Sequence, residues 1–285
     1  MEKEKLYQNK FLNLLLQLDT NRVSYELDEY GRKYTVNNKN DELVVYVEMP
    51  EEYEGKLTLD DFQFSKTTHR LLVFLIQKFT NLTKDEQEVG YVEFTVKEFA
   101  DLCGLKDRDN CKRLIEKDLF SLFCLRCEFN GTEIFIIEDI GVGRGKFAFV
   151  IDKSLKTYLT HYKGYVLLPQ SYYSASLHKA PEAPGWLYFL VCQSHLNANK
   201  SNKNRISVNS LLVRGNFMSI EDIRQTKNNS IKERIMMPLI RNLCELNETF
   251  DLKYFNKAGK ELSVKQLQKL TYEELIKIVI HYEMY

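Results

Sequence analysis

At 285 residues, with 44% hydrophobic side chains and 17 Phe and 17 Tyr, the chain is long enough for two ordinary domains with real cores, which excludes long disorder as the default. A formal net charge of zero excludes a uniformly basic nucleic-acid coat. The charge is unevenly placed, however: residues 26–61 hold eleven acidic and four basic side chains, whereas residues 195–241 hold nine basic and three acidic, and a polyanion would feel the local sign.

In chain order, residues 1–20 predict one amphipathic helix, with Leu12, Leu15 and Leu16 and nearby Leu14 and Leu18 on a face that docks or dimerises. Residues 22–49 alternate in strand fashion around Val23, Tyr25, Leu27, Tyr34, Val36 and Leu43, with turns near Gly31 and at 37–41, until Pro50 ends a small sheet. Residues 51–61 read as an acidic surface connection. Residues 65–82 predict a strong helix with Leu71, Leu72, Leu75, Ile76 and Phe79 as its buried stripe.

The clearest stretch is 91–151. Aromatic and β-branched residues 91–96 suit a strand. Thr95 and Glu98 have the spacing of a capping box, and the helix they open ends at Cys103-Gly104, with glycine where a left-handed cap is wanted. A second helix over about 107–120 places Cys111, Leu114, Ile115 and Leu119 on one face and a mixed set of charges, Asp118 among them, on the other. A strand over 122–129, the Asn130-Gly131 turn and a strand over 132–139 follow. The glycines at 141, 143 and 145 then turn the chain into a last strand, 147–151. Helix, turn, helix and a β-ribbon with a basic tip is the order of a winged helix-turn-helix.

Asp152 suits the N-cap of a short helix reaching about His161. A short β-run over 165–168 and a loop over 169–185 lead to residues 186–196, apolar nearly all round and thus a buried helix. After a polar loop, 197–204, the opening pattern returns. It gives a strand at 205–208, a short helix at 209–213, one helical turn at 219–224 and a longer helix over 230–246. Pro238 inside that last helix either kinks it or starts it anew. Residues 250–255 and 261–264 bracket a hairpin at Lys257-Ala-Gly259, read as a second wing, and residues 272–285 predict a closing amphipathic helix. The fold class expected is therefore α+β: two winged helix-turn-helix domains in tandem with a small N-terminal helix and β-sheet extension. The domains expected are 1–61, 62–151 and 152–285.

A helix in the major groove needs Arg, Lys and Asn to reach base edges. In the first module the candidates are Lys106, Arg108, Asn110, Lys112, Arg113 and Lys117, with Arg144 and Lys146 at the wing tip. In the second they are Arg224, Lys227, Asn228, Asn229, Lys232 and Arg234, crowded at a helix N-terminus where free N–H groups favour phosphate. Lys200, Lys203, Arg205 and Arg214 suit backbone contacts, which position the protein without reading sequence. The first set is charge-balanced and the second strongly basic, so the second is expected to set affinity. The glycine cluster at 141–145 lacks Rossmann or Walker spacing. Cys124 and Cys127, three apart on a strand, point to opposite faces and do not grip one ion, and the histidines lack the paired spacing that a metal-dependent nickase requires. No enzymatic activity, metal or cofactor is therefore expected. No apolar run approaches the roughly 20 residues of a membrane span, residues 1–20 lack a signal-peptide cleavage site, and six scattered cysteines fit a reducing cytoplasm.

The string Phe94-Thr-Val-Lys-Glu-Phe-Ala-Asp-Leu-Cys-Gly104 resembles the first helix-turn-helix of the iteron-type plasmid replication initiators, the RepA/RepE class. Phe149-Val-Ile-Asp152, the helix from Leu155, the aromatic run from Trp186, Arg205-Ile-Ser-Val208 and Met236-Met-Pro-Leu-Ile-Arg-Asn-Leu-Cys-Glu-Leu-Asn247 are similar to successive elements of that family, over about 65–265. The acidic N-terminal sheet departs from the family pattern. The resemblance implies a sequence-specific binder of double-stranded DNA at origin repeats that recruits host replication proteins, acts as a monomer there and forms a homodimer as a repressor. The alternative function is a winged-helix transcriptional regulator.

Overall fold

In the computed structural model the chain divides into two units, residues 1–168 and 169–285. The structure describes residues 3–7, 10–20, 24–28, 31–38, 41–48, 62–161, 164–196, 204–215, 217, 219–225 and 230–285. The acidic connection at 51–61, the loop at 197–203 and the positions 227–229 lie outside the described residues.

The first unit begins with strand β1 (Lys3–Tyr7) and helix α1 (Lys10–Leu15), not with the single helix that the leucines suggest. Phe11, Leu12, Leu14 and Leu15 are all buried, so this short helix is apolar around most of its circumference and belongs to the core. Strands β2 (Glu26–Asp28), β3 (Gly31–Asn38) and β4 (Asp41–Val47) form the expected antiparallel meander. Helix α2 (Lys66–Thr80) buries the predicted stripe, and α3 (Lys84–Val89), opened by a capping box between Thr83 and Glu86, had no counterpart in the sequence pattern. Strand β5 (Tyr91–Thr95) leads into α4 (Val96–Cys103) and α5 (Arg108–Phe123). Helix α5 runs past 120 because Leu122, fully buried, extends the stripe of Cys111, Ile115 and Leu119 by one more turn.

Strand β6 (Leu125–Phe129) turns at Asn130-Gly131, both with positive φ (49° and 77°), into β7 (Thr132–Phe135). The single strand expected over 132–139 is instead two. Ile136 and Ile137 are both buried, which a flat two-faced strand does not allow, and between them the chain changes sheets. β7 closes a five-stranded sheet ordered β2-β3-β4-β6-β7, whereas β8 (Ile137–Val142) joins β9 (Lys146–Ile151) and β5 in a three-stranded sheet ordered β5-β9-β8. The N-terminal meander is thus continuous with the winged module, since β4 pairs with β6 from Leu43↔Phe129 to Val47↔Leu125. Helix α6 (Lys153–His161) and strand β10 (Tyr165–Pro169), the latter paired with β1, complete the unit. The compact unit therefore joins the stretches 1–61 and 62–151, and it ends after the helix and strand that follow the wing.

The second unit holds α7 (Ser171–Ser174), α8 (Ala183–Leu196), β11 (Arg205–Ser207), α9 (Val208–Arg214) and α10 (Ile220–Arg224). A five-residue π-helical turn, Lys232–Met236, then feeds α11 (Met237–Leu246), so Pro238 sits in the first turn of the α-helical part, where its missing N–H is tolerated. Strands β12 (Phe250–Phe255) and β13 (Glu261–Leu262), helices α12 (Val264–Leu267) and α13 (Tyr272–Leu275), and strand β14 (Val279–Met284) follow.

The closing helix expected over 272–285 is therefore one helical turn and a strand. Ile280 and Tyr282 are buried while Glu283 is exposed, a period of two, and β14 lies between β11 and β12. The sheet order is β11-β14-β12-β13. In both units the strand before the helix-turn-helix pairs with the last strand of the unit's wing, which pairs in turn with an earlier strand beyond the second helix of the motif: β5-β9-β8 in one, where β6 and β7 intervene between α5 and β8, and β11-β14-β12 in the other, where β12 follows α11 directly. Two winged helix-turn-helix modules are present. The expected hairpin of β12 and β13 around Gly259 is present, with Tyr254↔Leu262 and Phe255↔Glu261 in register, and β14 pairs along the other edge of β12 to complete the second wing.

Candidate nucleic-acid interface

In the first unit local capping fixes the helix-turn-helix. Thr95 Oγ1 accepts the Glu98 N–H at 3.1 Å, and the Glu98 carboxylate accepts the Thr95 N–H at 2.7 Å, closing both ends of the box that opens α4. Gly104 turns the chain at φ 65°, and the Asp107 carboxylate then accepts the Asn110 N–H at 3.0 Å to start α5. The exposed face of α5 and the turn before it carries Lys106, Arg108, Asn110, Arg113 and Lys117, with Lys112 half-buried.

These cations are already partly engaged. Lys117 Nζ donates to Gln63 Oε1 at 2.7 Å, Arg113 reaches Asn110 Oδ1 at 3.5 Å, Lys112 pairs with Glu116 at 3.5 Å and Arg108 approaches Asp101 at 4.0 Å. Solvent-exposed pairs of this kind are weak and exchange readily for phosphate. Beside α5, the wing tip is tied to the motif: Val96 N–H, at the start of α4, donates to the Gly145 carbonyl at 3.1 Å. Arg144 and Lys146 are exposed at that tip, with Lys146 Nζ 3.3 Å from Glu93 on β5. The structure therefore brings the α5 set onto one helix and anchors the wing's two cations to the helix that precedes it.

Asp118 departs from the solvated charges with which the sequence groups it. It is 4% exposed, and its carboxylate accepts hydrogen bonds from Thr68 Oγ1 at 2.6 Å and Thr67 Oγ1 at 3.3 Å in the first turn of α2. Burial pushes its pKa up from 3.8 to about 6, against the lowering effect of the two hydroxyls and Lys117. The positions 111, 115, 118 and 122 lie on one helical face, which is the signal that places Asp118 inward. Next to Thr68, the His69 ring meets the Leu18 carbonyl at 2.6 Å, and burial holds its pKa well below the usual value.

In the second unit Ser207 accepts the Ser210 N–H at 3.1 Å to open α9. Arg205 is exposed on β11 across from His281, whose pKa is lowered by desolvation and by the nearby Arg205 and Lys253 charges. Arg214 behaves differently: its guanidinium lies 3.8 Å from the centre of the Phe189 ring and is half-buried, so its cation is held against α8. Arg224 is exposed at the end of α10, Lys232 is exposed on the π-helical turn, and Arg234 two residues on is half-buried. Lys200, Lys203, Lys227, Asn228 and Asn229 fall outside the described residues.

Asn242, which the sequence does not single out as a site, holds α11 to α8. Its Oδ1 accepts the N–H groups of Glu182 and Ala183 at 2.9 Å each, and its Nδ2 donates to the Pro238 carbonyl at 2.8 Å. It thereby satisfies two of the donors that the start of α8 leaves open. Cys103 and Cys124 are buried, and desolvation pushes both thiols up to about 12, whereas Cys244 is exposed. Among the described residues no group of three His, Cys, Asp or Glu is placed to hold a metal ion, and no helix is long and apolar enough to cross a membrane.

No curated protein matches the sequence significantly. A crystal structure of domain 2 and domain 3 of RctB aligns over 92% of this chain and 92% of its own, at 12% identity and a TM-score of 0.47. A structure of RctB domains 2–3 aligns over 91% of this chain and 100% of its own, at 14% identity and 0.36. Likenesses that distant carry no weight beside the strand order above. The sequence itself matches the family model described as initiator replication protein, WH1, over residues 53–172. That match covers less than half of the chain and likens residues 53–172 to the first winged-helix domain of replication initiators.

Proposed function

We propose that the chain initiates replication of a plasmid or related mobile element by binding double-stranded DNA at repeated origin sites with both winged modules and recruiting host replication proteins. The observation that carries this reading is the repetition of one strand order, β5-β9-β8 and β11-β14-β12, each wrapped around a helix-turn-helix, beside a family match on the first copy. In this reading α5 and the segment from Arg224 through Arg234 each enter a major groove, and Arg144 and Lys146 lie along the backbone. Lys106, Arg108, Asn110, Lys112, Arg113 and Lys117 supply the first module's contacts. Lys200, Lys203, Arg205, Lys227, Asn228, Asn229 and Lys232 supply those of the second, with Arg214 acting through its hold on α8. The protein works in the cytoplasm without covalent chemistry, and a homodimer serves a repressor role.

The test is a gel shift of the full chain against DNA flanking its own gene, titrated with salt. Binding to an array of direct repeats, weakening steeply with salt, is the expected result. Binding to a single palindrome alone would move the reading to a transcriptional regulator. Absence of binding at low salt would end both readings.

A further inference from the structure

In the first unit a cleft of about 810 Å³ opens between β1, the end of α2, α3, α6 and β10, on elements other than the helix-turn-helix and its wing. Three lysines line it: Lys5 from β1, Lys84 from α3 and Lys156 from α6. Glu88 is its one acidic side chain, so the lining carries a net +2 (three cations less one carboxylate). Among the described residues none of the three ammonium groups is paired with a carboxylate. Lys156 Nζ donates to the Glu88 backbone carbonyl, and Lys5 Nζ lies 5.1 Å from the centre of the Tyr165 ring. Both contacts hold the charge at the cleft wall without neutralising it. Lys156 lies against Gly90, whose φ of 79° suits glycine.

The remaining lining fits the rest of a ligand. Tyr7 and Tyr165 give aromatic surface, with Tyr165 43% exposed, and the hydroxyls of Thr157 and Thr160 stand on α6 beside Lys156. Lysines are point charges suited to phosphate, aromatic rings accept a stacked base, and the volume falls within the range of small-ligand sites.

We propose that this cleft binds a nucleotide, its phosphates against Lys5, Lys84 and Lys156 and its base against the tyrosines. The nucleotide is either free or part of a single DNA strand, and the two sources share this chemistry. The test is calorimetric titration of the full chain with ATP, with inorganic pyrophosphate and with a short oligothymidylate, at low salt. ATP and pyrophosphate are expected to bind, and Lys84→Ala with Lys5→Ala to weaken both by about tenfold or more. Lys84→Arg should retain binding. Tyr165→Ala should weaken ATP by about tenfold and leave pyrophosphate unchanged. Stronger binding of the oligothymidylate, competing with ATP, supports the site and assigns it to a strand; ATP binding with no oligothymidylate binding supports it and assigns it to the free nucleotide. No binding of any of the three probes, or binding untouched in the double lysine variant, overturns the proposal. Thermal melting of each variant confirms that it is folded. The gel shift on duplex repeats reports on α5 and the second module independently, so loss of that signal does not bear on the cleft.

Discussion

The two winged modules solve one problem with different chemistry. In each, the second helix of the motif must be held against the first helix of the module, and in each one polar side chain reaches the start of that first helix. In the first unit it is Asp118 on α5, bound to the hydroxyls of Thr67 and Thr68 at the start of α2. In the second it is Asn242 on α11, bound to the backbone N–H groups of Glu182 and Ala183 at the start of α8. A neutral amide fills such a place at little electrostatic cost. A buried carboxylate does so only by opposing its own desolvation. In consequence the first module is tied together in a pH-dependent way and the second is not.

The most severe test of this pairing of modules lies at β14, the strand that makes the second unit a winged module. Tyr282 is 2% exposed and packs edge-on to Phe250 at 5.7 Å. Tyr282→Ala should cost about 3–5 kcal/mol, read by denaturant unfolding. If residues 279–284 were the helix that their hydropathy suggests, hydrogen exchange there would not follow the fate of β11 and β12.

Asp118→Asn probes the contrast directly. Because the folded pKa, about 6, lies above the ordinary 3.8, the folded state keeps a proton that the unfolded chain releases. The stability from that proton is complete below about pH 4 and is lost as pH rises through about 6. The asparagine variant should remove this slope and, at pH 7, be more stable by up to about 3 kcal/mol. Parallel unfolding curves for wild type and variant from pH 4 to 7 would refute it, whereas Asn242→Asp should introduce a similar slope in the second unit.

At the proposed interface, Lys232→Ala with Arg234→Ala should weaken specific DNA binding by about 1–3 kcal/mol for each base edge no longer read, and more than Arg113→Ala with Lys117→Ala does. Equal effects in the two double variants would show that the two modules read DNA alike despite their different charge. The smallest effect is expected at the cap of α4, where Thr95→Ala should cost about 1 kcal/mol of stability. A fully unchanged melting temperature would remove the capping box from the forces that set the first motif.

The local elements were legible from the residues alone because their signals are short-ranged. The Thr95–Glu98 box, Gly104, the Asn130-Gly131 turn and the stripe on α2 act through neighbours three or four residues away, so they could be read without a fold, and so could the helix-turn-helix they build. The candidate cations on α5 were legible as a helical face for the same reason. Other features depended on partners distant in sequence, and folding alone settled them. Residues 132–139 read as one strand until β4 claimed β6 and β5 claimed β9, placing the two halves in different sheets. Residues 272–285 read as a helix because a short apolar run fits either period, and pairing with β11 and β12 settled it as a strand. Asp118 read as solvated because its type is polar, and only the packing of α5 on α2 buried it beside two threonine hydroxyls. In each case burial and strand pairing between distant segments outweighed local preference, because those contacts remove far more apolar surface from water than one turn of backbone propensity can offset.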